Sequence, residues 1–488
     1  MSSTDVKGEV HLRPYQSAAI ARIHARIAAG ARRILVVAPC GAGKTVCFSR
    51  VIADVVARGQ RALVVAHRRE LIQQTFRKLC DAGLAEDQIG VLMASDPRRR
   101  PAAPVQVASI DTLRNRPKPL AHLVVRDEAH RALAKTDRDI AAAYPDAVHL
   151  GFTATPYRAD NRGLGEAYDE IVVVASVQEL IGQGFLVEPR VFTIPEREQP
   201  NLSGVRVRGG DYDNRDLDSA MDQQPLVGNI VEHWKRHAQG ARTFAFAVSV
   251  KHSKHIAERF CESGIAAEHV DGATPLEERD AIFARLTTGE TLVVSNVGIA
   301  CEGTDIPPVK CAILARPTKS TGLYLQQAGR ILRPWNDQRA IILDHAGCAR
   351  LHGLPQDDRG FSLEPKPKRE RDPTENGASV SIRVCTGCHA VLPGAARACP
   401  ECGNVFAEAH DLPTEEEGTL VEATASQIPL FERPLSDHER SRRRGYFEQM
   451  RALARAKRRD IDWAIGRFAQ RFGKSPEPEW IENAWGRL

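Results

Sequence analysis

Arg32-Arg33-Ile34-Leu35-Val36-Val37-Ala38-Pro39-Cys40-Gly41-Ala42-Gly43-Lys44-Thr45 is the stretch from which the rest of the chain is read. The apolar run Ile34 to Ala38 reads as a buried strand. It breaks at Pro39, passes through Gly41 and Gly43, and meets Lys44-Thr45 at the start of a helical pattern. Such a loop can wrap polyphosphate. Glycines, including the pair flanking Ala42, let backbone N–H groups approach the oxygens, and the helix N-terminus adds positive potential. Lys44 can neutralise the outer phosphates and Thr45 can hold Mg²⁺. The strict eight-residue pattern asks for Gly where this chain has Ala38, and a solvated strand-to-helix turn is the plain alternative. The strand–loop–helix context favours the phosphate reading.

At 488 residues the chain has room for about three domains. The net charge of +5 is small for that length, so affinity for nucleic acid has to come from local clusters. Of eleven cysteines, Cys40, Cys47, Cys80, Cys261, Cys301, Cys311 and Cys348 are scattered and four are clustered late. That usage fits a reduced, cytoplasmic protein with one metal site. The N-terminus is polar and no apolar run approaches membrane-spanning length, so a membrane partner is not expected.

Outward from the opening stretch, Ala62–Ala66, Val105–Ala108, Leu123–Val125 and Val148–Phe152 are short apolar runs separated by helical patterns. Runs apolar on both faces and separated by helices indicate a parallel sheet covered on both sides. Leu123-Val124-Val125 leads through Arg126 into Asp127-Glu128-Ala129-His130. Acids at the carboxyl end of such a strand sit where open α/β sheets bind ligands. One carboxylate can anchor Mg²⁺ while the other orients or deprotonates water. Upstream, Leu12-Arg13-Pro14-Tyr15-Gln16 is a helix start, and Gln16 has an amide that could match adenine. Gly204 to Asp218 reads as a connector. Thr243–Val248, Leu292–Ser295, Ala312–Ala315 and Ala340–Leu343 then form a second parallel sheet. It carries Gln326-Gln327-Ala328-Gly329-Arg330-Ile331-Leu332-Arg333, whose Gln326, Arg330 and Arg333 share one face if the segment is helical. Such arginines can neutralise a transferring phosphoryl group.

Seven of these motifs, in this order over residues 12–333, resemble those of the superfamily 2 helicases of the DEAD/DEAH-box type. Leu12–Gln16 resembles the Q-motif, Ala38–Thr45 the Walker A loop, and Val65–Gln74 motif Ia. Asp127–His130 spells the DEAH box and Gly151–Arg158 resembles motif III. Asn296–Pro307 resembles motif V, and Gln326–Arg333 motif VI. The resemblance implies tandem RecA-like parallel-sheet domains, residues 1–185 and 186–354, with ATP between them. It makes Gln16 the adenine reader, Gly41, Ala42, Gly43, Lys44 and Thr45 the phosphate and Mg²⁺ cradle, Asp127 the metal carboxylate and Glu128 the catalytic base. His130, Thr153 and Thr155 would couple ATP state to nucleic-acid grip. Gly303 and Asp305 would touch nucleotide from the second domain, and Gln326, Arg330 and Arg333 would complete the hydrolytic site. Arg126 departs from the family, which has an apolar residue there; the expectation is that it reaches out past the sheet end.

Residues 355–378 shift to Pro, Lys, Arg, Asp and Glu and read as a linker. Within 379–410, Cys385-Thr-Gly-Cys388 and Cys399-Pro-Glu-Cys402 have the paired spacing of a four-thiolate zinc ribbon, structural because no coordination position is left open. Residues 411–435 are an acidic linker. Residues 436–488 form a basic helical tail, in which Arg440 to Arg459 holds nine Lys or Arg against one Glu. That helix is either a solvated face or a phosphate-backbone contact. Motor, ribbon and tail together resemble the bacterial RadD-like DNA-repair branch. The expectation is an ATP hydrolase moving on DNA with ATP, Mg²⁺ and Zn²⁺. An ATP-gated clamp without net travel and an RNA helicase are the alternatives.

Overall fold

The computed structural model describes residues 12–67, 69–94, 96–156, 163–194, 200–221, 224–299, 309–334, 339–364, 382–406, 437–456, 460–472, 476 and 480–481. The chain divides into two compact units, Met1–Glu408 and Ala409–Leu488.

The first unit holds two sheets. Strands β1 (Arg33–Val37), β2 (Ala62–Ala66), β3 (Ile89–Leu92), β4 (Val105–Ser109), β5 (Leu123–Asp127), β6 (Val148–Thr153) and β7 (Glu170–Val173) form a seven-stranded sheet of order β3-β4-β2-β5-β6-β1-β7. All its pairs are parallel. The two-residue period of a strand explains why unbroken apolar runs are needed. Ile34 and Val36 pack into one core with Phe48, Ile52 and Ile72 from the covering helices. Leu35 and Val37 face the opposite way, against Ala129, Leu164 and Tyr168. Each fully buried aliphatic side chain of this kind contributes about 1.5–3 kcal/mol.

Arg126 does not reach out past the sheet. It is buried, its guanidinium 3.1 Å from the Asp137 carboxylate, which is buried too. Desolvation makes a lone buried charge untenable, so the pair forms where snorkelling was expected. Opposite Arg126 in register is Gly151, where a Cβ would collide with Tyr168 Oη.

The second sheet is built from β8 (Pro189–Thr193), β11 (Thr243–Phe246), β12 (Ala267–Val270), β13 (Val293–Asn296), β14 (Cys311–Leu314), β15 (Ala340–Asp344), β16 (Ile382–Val384) and β17 (Ala390–Pro393), in the order β12-β13-β11-β14-β15-β8-β17-β16. The first six are parallel, and β17 and β16 add on antiparallel. The region Gly204–Asp218, read as connector, contains the hairpin β9 (Val207–Arg208) and β10 (Asp211–Tyr212) and the start of the helix Asn214–Met221. Of the expected linker 355–378, residues 365–378 lie outside the described residues, and the described part makes tertiary contacts. Phe361 and Leu363 pack against the Leu35 and Val37 face of the first sheet, and Arg359 donates to the carbonyls of His352, Leu354 and Asp357. The acidic linker 411–435 lies outside the described residues.

The second unit is a helical hairpin, Asp437–Ala456 and Ile461–Phe472, closed over Phe447, Ala454, Ala464, Phe468 and Trp480. Among the described residues no helix is long and apolar enough to cross a membrane.

Candidate nucleotide cleft and four-cysteine site

The loop after β1 ends at Gly43, which has φ +81° and caps the helix Lys44–Ala57; Gly41 has φ +87°. Both conformations favour glycine. A Cβ on Gly43 would also run into Gln16 Nε2. The Gln16 amide and the Tyr15 hydroxyl both donate to the Ala42 carbonyl, at 3.0 and 3.1 Å. Gln16 Oε1 accepts from Arg13 N at 3.0 Å, and the Arg13 guanidinium lies 4.7 Å over the Phe185 ring. The sequence singled out Gln16 here. Arg13, Tyr15 and Phe185 were missed as partners of the loop, although Arg13 and Tyr15 stand in the same quoted motif.

Lys44 Nζ donates to Glu128 Oε1 at 3.1 Å, and His130 Nδ1 stands 3.4 Å from Glu128 Oε2. Asp127 Oδ1 accepts from Glu128 N at 2.9 Å. Glu128 itself has φ +53°, a left-handed conformation that a non-glycine residue holds only when its surroundings fix it. Burial raises the Asp127 carboxyl to about 6, with the Glu128 charge adding to the effect. Burial also opposes ionisation of Glu128, but Lys44 and His130 outweigh it and hold its pKa below the ordinary carboxylate range. The same pairing outweighs burial at Lys44 and keeps it firmly cationic. A cation, a pair of acids and a glycine-lined loop therefore converge at the carboxyl ends of β1 and β5. The donor set fits a polyphosphate with Mg²⁺, which Thr45 and Asp127 would hold.

From the second sheet, the helix Thr321–Ala328 presents Gln326, buried, and then stops. Arg330 and Arg333 follow it in a turn, so the expected single helical face does not form. The helix ends at Gly329, whose backbone is still right-handed helical and which abuts Cys40 so closely that a Cβ there would collide with Cys40 Cβ. The Arg333 side chain reaches within 3.5 Å of the place where a Cβ on Gly41 would lie. Buried Thr153 and Thr155 form a tight turn, Thr153 Oγ1 donating to Thr155 O at 2.7 Å, and Thr155 Oγ1 lies 2.9 Å from a Cβ position on Gly322. Arg333 and Gly329 are thus brought to the loop, and Thr155 to the first turn of the helix that carries Gln326. Gly303 and Asp305 lie outside the described residues. Sequence reasoning gave no role to Asp211, which accepts from Thr318 Oγ1 at 2.9 Å and Lys319 N at 2.7 Å and so anchors the loop leading into the Gln326 helix.

The Sγ atoms of Cys385, Cys388, Cys399 and Cys402 all lie within 4.8 Å of one another, and the pairs 385–402 and 388–399 are 3.5 Å apart. Those separations are too long for disulfides and right for four ligands about one tetrahedral ion. Burial opposes the Cys385 thiolate, yet the amides of Cys388 and Gly387 bring it down to about 6. The site fits zinc. His389, with φ +61°, turns its carbonyl to Thr193 N.

Residues 9–158 match the family described as Type III restriction enzyme, res subunit, and residues 225–334 match the helicase conserved C-terminal domain. The first covers β1 to β6 of the first sheet and the second covers β11 to β14 of the second, in that order. The chain belongs to the superfamily 2 helicases. A 51.5 kDa protein of Lactococcus phage (isolate 7-9) is 32% identical over 81% of this helicase and 84% of that protein. The putative ATP-dependent helicase IRC3 of Saccharomyces cerevisiae is 32% identical over 72% of this chain. This chain spans 55% of the yeast protein's length. The fold is also that of the ATP-dependent Type ISP restriction-modification enzyme LlaBIII bound to DNA, with TM-score 0.51, 18% identity, and 70% of this chain and 28% of that one covered. The helicase is accordingly an ATP-hydrolysing enzyme with two RecA-like domains.

Proposed function

We propose that this helicase is an ATP-driven motor that moves along DNA, acting in DNA repair as a member of the RadD-like branch. The observation that carries the reading is the contact of Gly329 and Arg333 with the phosphate loop at Cys40 and Gly41. One nucleotide pocket then has walls from both domains, so the phosphate state of the bound nucleotide sets how tightly the domains close. Nucleotide phosphates compete with Glu128 for Lys44. The freed Glu128 carboxylate, held in its left-handed turn, accepts the proton of the attacking water, with His130 beside it. Bound Mg²⁺ supplies charge neutralisation at the phosphates. Gln326, Arg330 and Arg333 orient and stabilise the transferring group from the second domain. Gln16 recognises the adenine edge, with one amide hydrogen already committed to the loop. The turn of Thr153 and Thr155, touching Gly322, passes closure to the nucleic-acid face. DNA is favoured over RNA by the DNA-bound fold neighbour and by the resemblance of motor plus ribbon to a repair branch. Zinc in the four-thiolate site holds the ribbon together.

The test is displacement of a roadblock from single-stranded DNA, run beside ATPase stimulation by single strands, forks and RNA. A motor clears the block, and alanine at both Thr153 and Thr155 abolishes clearing while much of the DNA-stimulated ATPase survives. ATP-dependent retention on DNA with no clearing under any geometry would replace the motor with a clamp.

A further inference from the structure

The C-terminal helical unit carries charge that the nucleotide cleft does not use. Residues 437–472 hold eleven Lys or Arg and five Asp or Glu, a net +6 where the whole chain has +5, so the remainder sums to −1. On the helix Asp437–Ala456, Arg440, Arg444, Arg451 and Arg455 are spaced four, seven and four residues apart. At 3.6 residues per turn they occupy a stripe roughly 60° wide and roughly 22 Å long, beside the buried line of Phe447 and Ala454. Arg440 with Arg444, and Arg451 with Arg455, are like charges one helical turn apart. Glu448, 3.4 Å from Arg444, lies between the two pairs. A row of positive charge of this length matches the spacing of a polyanion lying along the helix.

Two further guanidiniums are set on aromatic rings where the helices meet. Arg471 lies 4.8 Å over Tyr446 and Arg443 5.2 Å over Phe472, and those rings meet edge to face at 5.4 Å. The ring faces orient the guanidinium planes in advance, which lowers the entropy lost on binding. All eight basic residues of the two helices are arginine, the side chain whose planar fork matches phosphate oxygens.

We infer that this helical hairpin is a nucleic-acid-binding module in its own right, gripping a phosphate backbone through the Arg440–Arg455 stripe whatever the nucleotide state of the motor. It rests on the proposed function only in the choice of polyanion. Phosphate contacts carry no base information, so the grip is independent of sequence.

The experiment uses the full chain with Arg444, Arg451 and Arg455 all changed to Gln, which keeps helix propensity. Binding of a single-stranded oligonucleotide and of its duplex is measured without nucleotide across a salt series. Affinity is expected to fall by about two orders of magnitude near ~0.1 M salt, and the log–log salt slope to flatten by about two units, at roughly 0.7–0.9 per lost phosphate contact. ATPase at saturating DNA should match the parent. The matching Lys variant should keep most of the slope, since it retains the charges. Three results would overturn the inference: a folded Gln variant with parent affinity and slope, a Lys variant as weak as the Gln variant, or loss of binding to phosphatidylserine vesicles with DNA binding intact. Failure of the motor reading looks different: the parent would show no DNA-stimulated hydrolysis while the slope change persisted.

Discussion

Lys44 Nζ and Glu128 Oε1 are 3.1 Å apart, an ion pair that fastens the phosphate loop to the end of β5 while both side chains are largely out of water. Such a pair cannot lose one member cheaply. Lys44→Ala should weaken nucleotide binding and also lower the stability of the nucleotide-free protein by about 3 kcal/mol, because Glu128 is left buried with only His130 beside it. Glu128→Gln should keep nucleotide affinity while hydrolysis falls by two or more orders of magnitude. Equilibrium binding of a fluorescent ATP analogue and steady-state phosphate release read the two effects apart. Parent-rate hydrolysis by Glu128→Gln would remove it as the base.

Gly329 tests the cleft from its other wall. Its backbone is ordinary right-handed helix, so the requirement for glycine is one of space against Cys40. Gly329→Ala should push residues 329–333 off the loop and lower kcat/KM for ATP at least tenfold, with little change in overall folding. Combining it with Cys40→Gly should restore part of the loss. A Gly329→Ala enzyme with parent kinetics would mean the two walls need not touch during turnover.

Chelation should act beyond the ribbon. β17 pairs with β8 through Ala390 and Val391, and Cys385 and Cys399 share a core with Phe192, Trp234 and Leu343. Glu401, between two of the cysteines, is ion-paired with Arg190 on β8. Removing zinc should therefore speed amide hydrogen exchange in peptides covering 189–194 as well as 382–406. Faster exchange confined to 382–406 would show a ribbon that unfolds without disturbing the motor sheet.

Acid should loosen the second domain through its buried histidines. Burial, with His233 nearby, depresses His345 to about 3, and burial lowers His237 to about 4. A histidine kept neutral in the fold contributes its full stability above the unfolded value near 6.5 and loses it as pH falls toward the folded value. For His345 alone this is about 2 kcal/mol between pH 7 and pH 5. Urea unfolding at the two pH values, parent against His345→Phe, should show the smaller pH dependence in the variant. Equal dependence would place the acid sensitivity elsewhere.

Much of the site was written in one dimension. Ile34–Ala38, Ala62–Ala66 and Leu123–Val125 are too short for helices and apolar on both faces, so burial in a covered parallel sheet follows from composition. Gly41, Gly43, Lys44, Asp127 and Glu128 sit at strand ends, where local sequence fixes both backbone and chemistry. The four cysteines were legible for the same reason, since knuckle spacing is local.

Tertiary structure decided what depends on partners far along the chain. Arg126 turns inward because Asp137 is there to meet it, and no spacing rule announces that pair. Gly329, which follows the helix carrying Gln326, must be glycine because it abuts Cys40, a residue almost 300 positions earlier. β8 is a single strand in a region of weak periodicity, and it becomes one only when β15 and β17 supply its hydrogen bonds from 150 to 200 residues later. Propensity is a local quantity, whereas the edges of a sheet and the walls of a cleft are settled by long-range packing.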